Sequence, residues 1–252
     1  MTTAPNILVT YETDAGRATL TLNSPRNRNA LSRQLVSDLF SGLERAEEDP
    51  HVRVVVLRAN GSVFCSGADL SEASEGAMEE GAHALVRLQK RLLTFPKPVV
   101  ARVHGAVRAG GIGIVAASDI AICTEDTTYA FTEVRLALTP AVISLTVLPR
   151  LTSRAAYRTF LTAETFDGRT AAAIGLVTQA VSDADLDATI DAVGADLLKG
   201  HPQGVRETKA LLGHDILRRI EDQGTELAEL SARLFGSPDA KEAMRSFLGT
   251  PT

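Results

Sequence analysis

The sequence predicts an α/β fold that closes in helices alone. Three observations predict it. Runs of β-branched and apolar residues recur through residues 1–180, two of them leading into glycine-containing turns. Segments with apolar residues at helical spacing lie between those runs. The last third of the chain keeps helical spacing and loses the strand signals.

The elements follow in order. ILVTYE at 7–12 and RATLTLN at 17–23 flank Asp14-Ala15-Gly16, a turn signal, and read as a hairpin. Ser32 is an N-cap candidate, followed by Leu35, Val36, Leu39, Phe40, Leu43 and Ala46 on one helical face. VRVVVLRA at 52–59 is nearly all β-branched, as expected of a strand covered on both faces. A helix is predicted over 79–95, ended by Pro96 and Pro98. Next come a strand at VVARVHG, a glycine-rich turn with a short helix, and a strand at DIAICT. Beyond these, Ser182-Asp183-Ala184-Asp185 resembles a capping box opening a helix to about Lys199. His201-Pro202 starts another, with proline at the first helical position. Separate helices are then expected over 217–235 and, after Ser237-Pro238, to Leu248.

Composition narrows the function. The chain has 252 residues, 44% of them hydrophobic, enough for one sizeable core with an appended helical region. A net charge of −5 argues against nucleic acid as the main partner, since a phosphate backbone rewards a basic surface. No apolar run reaches the roughly 18 residues of a membrane span, and residues 1–6 lack the pattern of a signal peptide. Two cysteines, Cys65 and Cys123, and five histidines without ligand spacing give no disulfide framework and no metal site. A cytoplasmic protein without a metal is expected.

Two turns can carry chemistry. One is FCSGADL, residues 64–70; the other is Ala109-Gly110-Gly111-Ile112-Gly113, preceded by the charge of Arg108. Each follows a strand and leads toward a helix, so each can present free backbone N–H groups. Two such donors aimed at one carbonyl oxygen form an oxyanion hole; otherwise the glycines only relieve steric strain. Glu133, in YAFTEVRLALTP, sits among apolar residues with Arg135 close by. It is either a buried carboxyl with a raised pKa, able to exchange protons near neutrality, or a surface glutamate paired with that arginine.

The stretches PRNRNAL, FCSGADL, VHGAVRAGGIGIVAASDIAI and FTEVRLALTPAVISLTVLPRL, in this order and spacing, resemble the enoyl-CoA hydratase/isomerase (crotonase) family over essentially the whole chain. The resemblance implies a crotonase spiral of ββα units over residues 1–195 with the acyl-CoA site. It implies a helical, oligomerising region over 196–252 in a homotrimer or dimer of trimers. It puts the oxyanion N–H groups on Ala68 and Gly110 and the proton-handling carboxylate on Glu133. Arg26, Arg28 and Ala30 fall where the family meets the CoA nucleotide and pantetheine, and Ser66, Asp69 and Leu70 lie in the turn beside the CoA. The substrate is then an acyl-CoA thioester, with CoA a part of it and no separate cofactor.

Two departures bear on the reaction. Two-carboxylate hydratases of the family carry a glutamate three positions after the second oxyanion glycine, where this chain has Gly113. Thr132 stands where a proline is common. The resemblance therefore implies an enoyl-CoA hydratase working with one glutamate. Its rivals are a Δ3-Δ2-enoyl-CoA isomerase, and an acyl-CoA-binding homologue with weak activity. Arg108 either reaches the surface or pairs with an acid such as Asp69, or it binds a distal carboxylate in the acyl pocket. The last case implies a substrate of the 3-methylglutaconyl-CoA type.

Overall fold

The computed structural model describes residues 7–72 and 75–249, so the expectation for residues 1–6 lies outside it. Strands β1 (Val9–Asp14) and β2 (Arg17–Leu22) pair antiparallel through a two-residue turn. Ala15 and Gly16 both take positive φ there, the geometry that matches strand twist in tight hairpins. Helix α1 (Arg33–Glu48) follows, with the Ser32 hydroxyl accepting from the Leu35 N–H as the expected N-cap.

From here the chain repeats one unit: a strand in a large sheet, a short strand in a second sheet, then a helix. The first unit is β3 (Val54–Ala59), β4 (Val63–Cys65) and α2 (Glu75–Thr94). The second is β5 (Val99–Val103), β6 (Ala106–Arg108) and α3 (Gly110–Ala117). The third begins with β7 (Ile120–Thr124) and β8 (Thr128–Ala130), and continues through α4 (Ala141–Val147) and α5 (Ser153–Thr162). After them come β9 (Phe166–Asp167), α6 (Gly168–Ala173), β10 (Gln179–Val181), α7 (Asp183–Lys199), α8 (Pro202–Phe235) and α9 (Pro238–Gly249). The large sheet has order β1-β2-β3-β5-β7-β10, parallel from β2 onward. The small sheet has order β4-β6-β8-β9. This is the spiral of ββα units that the resemblance implied.

The near-continuous apolar run of β3 is explained by its two covered faces. Val54 and Val56 pack with Val100, Ile122, Leu186 and Ile190 beneath α7, while Val55 and Leu57 belong to the main core. Helix α2 starts four residues earlier than the spacing suggested.

The C-terminal third differs from expectation in two respects. Ser182 makes no cap bond through its side chain; its hydroxyl donates instead to the Asp185 carboxylate at 2.6 Å. The two helices expected over 202–235 are one helix of 34 residues, because Leu211 to Leu217 contains no breaker stronger than Gly213. Lys209 fastens this helix to the core. Its buried ammonium donates to the carbonyls of Leu92 and Lys97 and pairs with Asp119 at 2.7 Å. The 195/196 boundary falls inside α7. Among the described residues no helix is long and apolar enough to cross a membrane.

Candidate active site

The first turn leaves β4 at Ser66 and is held against the segment before α1. The Ser66 N–H donates to the Arg28 carbonyl at 3.1 Å, and the Leu31 N–H to the Gly67 carbonyl at 2.8 Å. A trans peptide directs its C=O and N–H oppositely. Binding the Gly67 carbonyl to Leu31 therefore turns the Ala68 N–H to the other side. Gly67 has φ +93°, a conformation that L side chains rarely adopt.

The second turn joins β6 to α3. Ala109, the N-cap, has φ 44° and ψ −121°, so a non-glycine residue is held in a sparsely populated region. All eight residues of α3 are buried, and its first N–H, on Gly110, has no partner within the helix. The glycines here are demanded by close approach. A Cβ at Gly111 would lie 2.7 Å from the Cys65 Cβ, and one at Gly113 2.9 Å from the Ile143 Cγ2. A Cβ at Gly67 would lie 2.7 Å from the Ala109 Cβ and 3.5 Å from the Gly110 nitrogen, so the two turns touch.

Ala68, Gly110 and Glu133 line one cavity of about 490 Å³, walled by α1, α2, α4 and the end of α8. Glu133 sits in a 3-10 turn, Thr132–Leu136. Its Oε2 is buried without a hydrogen-bond partner. Burial pushes its carboxyl up from an ordinary 4.5 to about 7. Arg135 does not pair with it, and donates to the Thr162 carbonyl. Of the two readings of Glu133, the buried carboxyl is the one the structure adopts.

Asp69 also lines the cavity, in a contrasting state. Burial alone would raise its pKa, but bonds from the Ser71 hydroxyl, the Ser71 N–H and the Asn27 amide outweigh that and hold it below the usual range. Its carboxylate is thus engaged by protein donors while the residue lines the cavity. The expectation that Arg108 reaches the acyl pocket is corrected. Its guanidinium donates to the carbonyls of Val107 and Thr128 and to the Thr128 hydroxyl, so it faces β8 rather than the cavity. It neither reaches an acyl group nor pairs with Asp69. Arg26 and Arg28 are exposed and Ala30 is buried, and with Ser66 and Leu70 they lie outside the cavity wall. Sequence reasoning missed Asn29, whose buried amide donates to the carbonyls of Asn60 and Val63 and anchors the segment. It also missed Ser231 and Phe235, which α8 brings to the cavity.

The enoyl-CoA hydratase/isomerase family model matches residues 12–251. The chain belongs to that family. An enoyl-CoA hydratase from Mycobacterium avium has the same structure with a TM-score of 0.92, at 46% identity over 97% of each chain. A hydroxycinnamoyl-CoA hydratase-lyase of Pseudomonas fluorescens is 30% identical over 80% of this chain and 76% of its own. A peroxisomal Δ(3,5)-Δ(2,4)-dienoyl-CoA isomerase of Arabidopsis thaliana is 29% identical over 94% of this chain and 91% of its own. The family thus joins hydratase, lyase and isomerase chemistry on one scaffold.

In this family member the Glu133 environment has a thermodynamic signature. The folded carboxyl binds its proton more tightly than the unfolded one, so that stability is present below the unfolded pKa and lost as pH rises toward 7. Between pH 4.5 and 8 the wild type should lose roughly 1–3 kcal/mol relative to Glu133→Gln in urea melts. Parallel pH profiles would put the carboxyl in solvent.

Proposed function

We propose that the chain is an enoyl-CoA hydratase that adds water across the α,β double bond of an acyl-CoA thioester. The observation that carries this reading is the convergence of two turns and one unpartnered carboxyl on a single cavity. The thioester oxygen sits between the N–H groups of Ala68 and Gly110, which stabilise the enolate as it forms. Each such donor is worth about 3–4 kcal/mol of barrier. Ionised Glu133 takes one proton from the attacking water as the hydroxyl joins Cβ. The same proton then passes from Glu133 to Cα, so one carboxyl serves both ends of the addition and regains its starting state. A group titrating near neutrality suits both halves of that exchange. The similarity to named hydratases over nearly the full chain supports the same reading.

One observation favours a second reading, an isomerase that moves a single proton between Cα and Cγ. The volume beside Gly113 is taken by Ile143 and by Gln89, whose amide oxygen accepts from Thr146 at 2.6 Å. Glu133 is therefore the one carboxyl in the cavity wall with a buried, unpartnered oxygen among the described residues. The position of Arg108 removes the reason to favour a dicarboxylic acyl group.

We further propose a cytoplasmic homotrimer or dimer of trimers. Tyr157 and Leu161 on α5 are 67% and 70% exposed, and Leu211 and Leu212 on α8 are 77% and 78% exposed. Apolar side chains grouped in this way suit subunit contacts. Light scattering at micromolar concentration should report three or six chains, and a monomer would contradict the assembly.

The reaction is tested by following enoyl absorbance with crotonyl-CoA, a 3-enoyl-CoA and 3-methylglutaconyl-CoA. Crotonyl-CoA should be hydrated, with kcat/KM rising with pH through about 7, the value set by burial of Glu133. Glu133→Gln should lower kcat by about 10²-fold or more while acyl-CoA still binds. Conversion of the 3-enoyl-CoA alone would establish the isomerase. Binding without turnover of any of the three would leave an acyl-CoA-binding protein.

A further inference from the structure

The three hydrogen bonds to the Asp69 carboxylate have a consequence for the peptide next to it. We propose that Asp69 is a positioning residue, holding the Gly67–Ala68 peptide with its N–H toward the cavity. This rests on the oxyanion reading of Ala68 given above.

The argument starts from what that turn must resist. Gly67 carries a positive φ, and the Ala68 N–H is left without a backbone acceptor among the described turns. A free backbone N–H next to a glycine gains a hydrogen bond if the peptide rotates, so an unrestrained turn would collapse onto any nearby oxygen. Restraint comes from both sides. On the N-terminal side, the Leu31 N–H holds the Gly67 carbonyl at 2.8 Å. On the C-terminal side, one Asp69 oxygen accepts from the Ser71 N–H at 2.9 Å and the Ser71 hydroxyl at 2.7 Å. This closes a local turn and fixes the backbone just after Ala68. The other oxygen accepts from the Asn27 amide at 2.7 Å.

That last bond reaches outside the turn. Asn27 ends the 3-10 turn Pro25–Asn27, and Asn29, two residues on, is tied to the carbonyls of Asn60 and Val63 at either end of the loop before β4. Through Asn27 the carboxylate is therefore referenced to the sheet. Asp69 is 8% exposed and stays ionised, so these are charge-assisted bonds, stronger and more directional than neutral ones. Three of the four or so acceptor sites of the carboxylate are taken by protein donors, whereas Glu133 has an oxygen with none, which separates the two roles.

The test reads the polarisation of the thioester directly. Butyryl-CoA labelled with ¹³C at the carbonyl, which cannot be hydrated, is bound to wild type, Asp69→Ala, Asp69→Asn and Asn27→Ala. Calorimetry gives Kd, difference infrared spectroscopy gives the C=O stretch, and thermal melts give Tm. In wild type the stretch should move to lower frequency on binding. In Asp69→Ala it should return most of the way to the solution value and kcat should fall about 10²-fold, the scale of a lost oxyanion donor. Kd should stay within about threefold, because ground-state contacts along the CoA are untouched. Asp69→Asn should keep most of the shift, since its amide oxygen still accepts from Ser71 and Asn27 can turn its own amide to match. Asn27→Ala, which leaves the carboxylate and the Ser71 bonds in place, should give a partial loss and serves if Asp69→Ala fails to fold. An unchanged stretch in folded Asp69→Ala, whether or not Tm falls, overturns the positioning role. A wild type that shows no shift on binding overturns the oxyanion reading of Ala68 and the Asp69 role with it.

Discussion

Gly67 and Ala109 meet so closely that no side chain fits between them, and the arrangement of the site depends on that contact. It brings together two strand ends from different ββα units, β4 and β6, which already pair in the small sheet. At the point of contact each backbone is in an unusual conformation, Gly67 at φ +93° and Ala109 at φ 44°. Gly67 can take its conformation because it has no side chain, whereas Ala109 must be forced into its own. Each is held by bonds from elsewhere: Leu31 on the Gly67 carbonyl, and Arg108 locking the end of β6 to Thr128 of the neighbouring strand. For Ala109, which carries a side chain, such a conformation costs about 1–3 kcal/mol and persists only where the surroundings over-determine it.

The same constraint explains where polar groups are spent. Among the acidic residues that line the cavity, the fold treats Asp69 and Glu133 oppositely. Asp69 receives three donors and is held as an anion, while Glu133 receives none at Oε2 and is pushed toward neutrality. A pair of acids driven apart in this way is a common route to assigning structural and proton-transfer roles. Beside Gly113, Ile143 and Gln89 occupy the space a side chain would need, and the Gln89 amide is bonded to the Thr146 hydroxyl and to the carbonyls of Leu85 and Val142. On the proposed reading, the cavity offers the N–H groups of Ala68 and Gly110 and the Glu133 carboxyl, the set needed to stabilise an enolate and move one proton.

Much of this was legible in the sequence, for identifiable reasons. The β1–β2 hairpin, the buried strand β3 and the two glycine turns each rest on local chemistry, either residues that tolerate positive φ or β-branched runs. Glu133 could be singled out because an acid among apolar residues is conspicuous, although its separation from Arg135 was visible only in three dimensions. Arg108 shows the limit. Its charge suggested a ligand, yet its partners are carbonyls on a strand 20 residues away, and backbone acceptors leave no mark on a sequence. Ser182 and the unbroken α8 fail for a related reason. Cap motifs and a mid-helix glycine set weak preferences, of about 1 kcal/mol each: the Asp185 carboxylate diverts the Ser182 hydroxyl, and Gly213 does not break α8. Membership of the enoyl-CoA hydratase/isomerase family was carried by several motifs in register rather than by any one of them.

The central claim is that the N–H groups of Ala68 and Gly110 converge on one oxygen beside Glu133. A crystal structure with a saturated acyl-CoA bound tests it most directly. The account predicts the thioester oxygen about 2.7–3.1 Å from both nitrogens, with Cα facing the Glu133 carboxyl. A thioester seated elsewhere in the cavity, or one whose oxygen meets water instead of those two groups, would contradict it.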